Sequence, residues 1–136
     1  LHSLRRRQRQ MCIRDREKFI KKVKLNEKFA LEVRNMSWFD GKWIEWASEL
    51  GVTWVSIDAP YFTNFPREIY CTGSSIYLRM HGRDDWYSHY YEDEELEEVK
   101  EKILKVKAKK AYVYFNNNTN MLRNARSLLS LFHKDS

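Results

Sequence analysis

Apolar and polar positions along the chain alternate between a helical and a strand period. In REKFIKKVKL (16–25), Phe19, Ile20 and Val23 share one helical face and lysines the other, which predicts the last turns of a helix. FALEVR (29–34) alternates with period two and predicts a strand. SWFDGKWIEWASELG (37–51) predicts a helix with an apolar stripe of Trp43, Ile44, Trp46, Ala47 and Leu50, closed by Gly51 at the C-terminal cap. VTWVSID (52–58) is a second predicted strand. APYFTNFPREIYCTGS (59–74) holds both prolines and predicts a long loop. SIYLRMH (75–81) is a third strand. EDEELEEVKEKILKVKAK (92–109) is the clearest helix, with acids in its first turns, lysines in its last and a stripe of Leu96, Val99, Ile103, Leu104 and Val106. AYVYFN (111–116) is a fourth strand, and NMLRNARSLLSLF (120–132) a closing amphipathic helix. Strands that alternate with helices imply an α/β fold with a parallel sheet.

Buried parallel strands usually read as unbroken apolar runs. These alternate. Leu31 and Val33, Val55 and Ile57, Leu78 and Met80, and Val113 and Phe115 take one parity, read as the face against the helices. The other parity holds Glu32 and Arg34, Ser56 and Asp58, Arg79 and His81, and Tyr114 and Asn116, read as one polar face that becomes ionisable toward its carboxyl end. A TIM-type (β/α)8 barrel explains such a pattern, since its sites gather at the C-terminal mouth. Four strands cannot close an eight-stranded barrel, so the expectation is the C-terminal half of one, about four parallel strands with helices on the outer face.

Composition alters the picture at one end only. The chain carries 25 Lys+Arg against 19 Asp+Glu, net +6, which on its own suggests a nucleic-acid partner. However, RRQRQMCIRD (6–15) matches residue for residue the translation of an adapter used in transposon-based DNA libraries. Residues 1–16 are therefore expected to be foreign to the protein, with a truncated barrel domain over 17–136. Six of the 25 basic residues and one of the 19 acidic ones lie in that segment, so the remainder carries net +1 and the basic signal disappears. Cys12 goes with it and leaves Cys71 alone, so a reducing, cytoplasmic setting is expected. No run of 18 or more apolar residues predicts a membrane span.

The chemistry concentrates in RMHGRDDWYSHYY (79–91). His81 ends a strand beside Gly82 and is the candidate for proton transfer, or else a histidine hydrogen-bonded inside the fold. Arg79 and Arg83 suit bidentate contact with a phosphate or carboxylate. Arg79 could instead pair internally with Glu32 or Asp58, because a buried charge must be compensated. Asp58 is a candidate general base or ligand anchor. Trp86, Tyr87, Tyr90 and Tyr91 could stack on a sugar or base, or form a lid on their own domain. Asn116 takes the inward parity and is expected to contact ligand with Asn117. Glu32, Asp58 and His81 have the atoms of an oxygen–nitrogen metal set but no diagnostic spacing, so no metal is assigned. His89 reads as a loop residue. No phosphate-cradling loop, nucleophile elbow or zinc-finger spacing occurs, and the residues name no cofactor.

FALEVRNMSWF, the SIDAP turn, YLRMHGRDDWYSHYY, YVYFNN and the following RNA resemble the YecE-like family, labelled domain of unknown function 72. The likeness runs from about Phe29 to Leu131. It implies a TIM-type barrel distantly similar to xylose-isomerase-like barrels, and no established activity. By position, the resemblance carries Glu32, Arg34, Ser37 and Trp38, then Asp58, Pro60, Arg79, His81, Gly82 and Arg83. It continues through Trp86, Tyr87, Tyr90, Asn116, Asn117, Asn124 and Ala125. Met36 departs from the pattern, where proline commonly stands. The resulting expectation is an enzyme acting on an anionic, phosphate-bearing ligand, with His81, Asp58 and Glu32 catalytic and Arg34, Arg79, Arg83, Trp86, Tyr87, Tyr90, Asn116 and Asn117 binding. The alternative is a non-catalytic nucleotide- or nucleic-acid-binding barrel. The half-barrel by itself is expected to be inactive.

Overall fold

A computed structural model describes residues 2–134, with side chains from residue 13. Eight main elements follow in order: α1 (His2–Val23), β1 (Ala30–Leu31), α2 (Gly41–Glu49), β2 (Thr53–Asp58), β3 (Ser75–Met80), α3 (Asp93–Val106), β4 (Lys110–Phe115) and α4 (Met121–Lys134). α1 runs through most of the segment expected to be foreign. The side chains of that segment up to Cys12 lie outside the described residues. The four strands form one parallel sheet in the order β1-β2-β3-β4. Among the described residues no helix is long and apolar enough to cross a membrane.

Local chemistry explains where the elements begin. α2 starts at Gly41 rather than at Ser37 because the Asp40 side chain accepts from Lys42 N–H, at 3.3 Å, and caps the helix there. Residues Met36–Trp38 form a 3-10 turn instead, in which the Asn35 side chain accepts from Ser37 N–H. α3 opens with a capping box of Glu92 and Glu95 and ends on Lys107 in the left-handed region. Gly51, with φ of 67°, follows α2 where a terminal glycine was expected. β1 is paired over two residues only, so Glu32 and Arg34 extend past the ladder at the sheet's edge.

The register corrects the reading of β2. Val55 pairs with Tyr77 and Ile57 with Arg79, while Ser56 pairs with Leu78 and Asp58 with Met80. Partners in register project to the same side. Ser56 and Asp58 therefore share the face of Leu78 and Met80, which pack with Leu96, Val99, Ile103 and Leu128 of α3 and α4. Val55 and Ile57 lie on the opposite face with Phe39, Phe65, Tyr77 and Trp86. The physical reason is that β2 is buried on both sides: all six of its residues are buried. Alternation then says nothing about direction. Polar groups are tolerated on the helix side because each is paired. Ser56 Oγ accepts from Tyr70 N–H at 2.8 Å, and Asp58 faces Arg83. A third cluster seats Trp54 and Val33 against Ala47 of α2 and Ile20 of α1.

Candidate functional site at the carboxyl ends of β1 and β3

Past the carboxyl ends of β1 and β3, Glu32, Arg34, Arg79 and His81 converge. Glu32 accepts from Arg34 Nε through Oε1 and from Arg79 Nη1 through Oε2, both at 2.7 Å. His81 Nε2 lies 3.3 Å from Glu32 Oε1 and 3.3 Å from Arg34 Nη2. A guanidinium can only donate, so Nε2 serves Arg34 as an acceptor or Glu32 as a donor, one at a time. The ring is fully buried, and its Nδ1 has no hydrogen-bond partner. Burial alone would raise the Glu32 pKa. Hydrogen bonds from His81, Arg79 and Arg34 outweigh it and bring the carboxyl down to about 2.

Aromatic rings roof this cluster. Arg34 Nη1 donates to the Tyr87 hydroxyl at 3.0 Å, and its guanidinium lies 5.3 Å from the centre of the Trp86 ring. His81 meets Trp86 and Tyr87 edge-on, each at 5.6 Å. Gly82 makes the fold-back possible. Its φ is 109°, and a Cβ there would sit 2.5 Å from the Asp85 carbonyl oxygen and 2.9 Å from His89 Cβ. Tyr87, at φ 65°, is also left-handed and donates its N–H to the His81 carbonyl at 2.7 Å.

Asp58 and Arg83 do not join this group. They form a separate ion pair on the helix side of the sheet, with the Asp58 side chain 5% and the Arg83 side chain 4% exposed. Arg83 reaches Asp58 through Nε and Nη2 and Glu98 through Nη1, at 2.9 Å to Asp58 Oδ2 and 2.9 Å to Glu98 Oε2. Tyr91 completes the site: its hydroxyl donates to Asp58 Oδ1 and accepts from Gly82 N–H, both at 2.9 Å. Burial first, and then the Asp58 charge, push the Tyr91 hydroxyl pKa well up, so it stays a donor. Both Asp58 oxygens are thereby occupied. Glu32, Asp58 and His81 do not assemble as a metal set, and no group of three His, Cys, Asp or Glu able to hold a metal occurs among the described residues.

The remaining residues divide in the same way. Asn117 is fully buried and donates to the His89 carbonyl and to Asn124 Oδ1. Asn124 in turn grips Tyr91 at both its N–H and its carbonyl. The two asparagines hold the 89–91 segment rather than open toward the Glu32 group. Tyr90 faces α4, with the Arg123 guanidinium 5.4 Å from its ring centre. Asn116 follows β4 directly, next to the β3 end, where its N–H donates to the Met80 carbonyl.

A family profile described as "Protein of unknown function DUF72" matches residues 4–136. The chain belongs to the DUF72 family. Among solved structures it is similar to a DUF72 protein of Enterococcus faecalis V583, with a TM-score of 0.74 at 22% identity over 88% of this chain and 53% of that one. A second structure from the same organism gives a TM-score of 0.68 at 27% identity over 76% of this chain and 48% of that one. A DUF72 protein of Thermotoga maritima MSB8 gives 0.67 at 27% identity, covering 79% of this chain and 46% of that one. The chain thus spans about half the length of these relatives. No curated protein matches.

Two structural features of this DUF72 chain escape a reading of the sequence. The sequence groups Tyr91 with Trp86, Tyr87 and Tyr90 as a stacking ring or lid, whereas it is fully buried and bonded to Asp58. His89 lies in a loop as expected, yet its Nδ1 sits 2.9 Å from Asp84 and its Nε2 2.9 Å from Glu95. Asp84 at five residues before and Glu95 at six after were the available signal, legible only once the loop was known to fold onto α3.

Proposed function

We propose that the chain forms the C-terminal half of a TIM-type barrel in a cytoplasmic protein, and that Glu32, Arg34, Arg79 and His81 form its ligand site. The ligand is a small anion of the phosphate-ester class. His81 is its acid–base group, and Glu32 positions the histidine and the two guanidiniums. One observation carries this reading: two guanidiniums meet a single carboxylate, beside Nε2 of a fully buried histidine. One positive charge is left over in a partly enclosed place, and a phosphate accepts two parallel N–H bonds from such a group. The guanidiniums are reachable, since the Arg34 and Arg79 side chains are 43% and 32% exposed. The barrel reading is supported by helices on one sheet face, polar groups beyond the strand ends and relatives of which the chain covers only about half. Asp58 and Arg83, whose polar atoms are taken by each other and by Tyr91 and Glu98, stand outside this site.

The second reading, a non-catalytic barrel for a nucleotide or nucleic acid, draws on Trp86 and Tyr87 over Arg34 and His81. Calorimetric titration with inorganic phosphate and then with a panel of phosphate monoesters separates the two. Arg79→Ala should weaken binding about 10- to 100-fold, as expected for one lost charge-assisted contact. Under the enzyme reading His81→Ala abolishes turnover of a panel member and spares its binding. Binding without turnover by the unaltered protein selects the second reading. Unchanged phosphate affinity in Arg79→Ala rejects both.

A further inference from the structure

α4 carries two different faces. Ala125, Leu128, Leu129 and Phe132 border an apolar groove with Val113 and Phe115 of β4. Nearly opposite them on the helical period, Arg123, Arg126, Ser127, Ser130 and Lys134 make one polar stripe. With Asp93 at the start of α3, this stripe lines a cleft of about 500 Å³, a size that suits a ligand site. Any strand or helix set beside β4 meets the apolar face and leaves the cleft open. The cleft is unbalanced in charge. Arg123 and Arg126 are exposed, and among the described residues neither meets a carboxylate. The Arg123 guanidinium is steadied 5.4 Å from the centre of the Tyr90 ring. Asp93 is the one acidic residue among those described that line the cleft.

We propose that the cleft binds an extended acidic peptide segment of a partner protein. From Arg123 to Lys134 the helix rises about 16 Å. Side chains on one side of an extended peptide recur about every 7 Å, so three carboxylates fit within that length. Each guanidinium can take a carboxylate through two parallel N–H bonds, and the hydroxyls of Ser127 and Ser130 are further donors between them. Asp93 selects a peptide over a nucleic acid. A phosphodiester backbone only accepts hydrogen bonds and would be repelled by Asp93 and by the exposed Glu92 and Glu94 beside it, whereas a peptide N–H can donate to Asp93. The cleft shares no residue with the Glu32 group, so the inference stands apart from the phosphate-ester reading.

The test is fluorescence anisotropy of a fluorescein-labelled hexaglutamate peptide titrated with the full chain at low ionic strength. The expected result is saturable binding that weakens about tenfold or more in Arg126→Glu. Arg126→Gln, which removes the charge alone, should weaken binding in the same direction and serves if the reversal does not fold. Lys105→Glu makes the same charge change at an exposed position of α3 outside the cleft, and should leave the affinity within about twofold. Unlabelled oligothymidylate should displace the probe only at higher concentration than unlabelled hexaglutamate. Absence of saturable binding overturns the proposal, as does unchanged affinity in a folded Arg126 variant. An equal loss in Lys105→Glu would reduce the binding to general charge attraction, and stronger displacement by oligothymidylate would reject the peptide as occupant.

Discussion

Replacing Asp58 with alanine removes the carboxylate from a pair in which both partners are nearly fully buried, at 3% and 4% exposure. Arg83 loses its contacts at 3.1 Å and 2.9 Å to Asp58 Oδ2, and the Tyr91 hydroxyl loses its acceptor. Breaking one side of a buried pair costs about 3–5 kcal/mol, because a charge is left without compensation. Here Glu98 at 2.9 Å and Glu95 at 3.6 Å still face the guanidinium and place the loss near the lower bound, about 3 kcal/mol. For a domain of this size that lowers Tm by about 10 °C. Urea unfolding followed by tryptophan fluorescence reads the change. Arg83→Ala should cost about as much, and the double variant clearly less than the sum, since neither charge is then left alone. Asp58→Asn, which keeps the shape, provides the comparison if the alanine variant does not fold. A loss below about 1 kcal/mol in Asp58→Ala, or strict additivity with Arg83→Ala, would refute the view that this pair holds the loop to the sheet.

Other consequences are equally direct. The folded Glu32 carboxyl is depressed from 4.5 to about 2, so its contribution is present above pH 4.5 and disappears as pH falls toward 2. Glu32→Gln should flatten the fall of the urea midpoint across that window, and an unchanged acid profile would show the carboxylate to be unpaired in solution. Gly82→Ala should destabilise by more than about 2 kcal/mol, since positive φ and two close contacts act together, while Gly51→Ala, with open space, should lose about 1 kcal/mol. Equal losses in thermal melts would contradict the turn geometry. Asn124→Ala, which strips both backbone bonds from Tyr91, should cost about 2 kcal/mol and raise amide exchange at residues 89–91. Selective protection there in the variant would argue against the clamp.

Much of the fold could be read from residues because local and long-range preferences agree. α3 has its capping box, its acid-to-base polarity and its apolar stripe, and β3 alternates with Ile76, Leu78 and Met80 all inside the helix-side cluster. β2 departs from its sequence pattern for a physical reason. A strand buried on both faces gives no signal of direction, and only its register with β3 shows that Asp58 stands beside Met80 rather than Arg79. The candidate site divided along the same line. Glu32, Arg34, Arg79 and His81 share a sheet end and come together. Arg83 reads on paper as a ligand-binding arginine beyond the strand, but Gly82 swings it back under the sheet to Asp58. Tyr91 could not be recognised as its partner without that turn.

The central claim is that the Glu32 group receives an anion. A crystal of the protein grown at low ionic strength and soaked in tungstate, an electron-dense phosphate analogue, tests it most directly. The account predicts density between the Arg34 and Arg79 guanidiniums beside His81, lost in the Arg79→Ala protein. Density only elsewhere, at Lys109 and Lys110 for example, or an unaltered tungstate peak in Arg79→Ala, would contradict it.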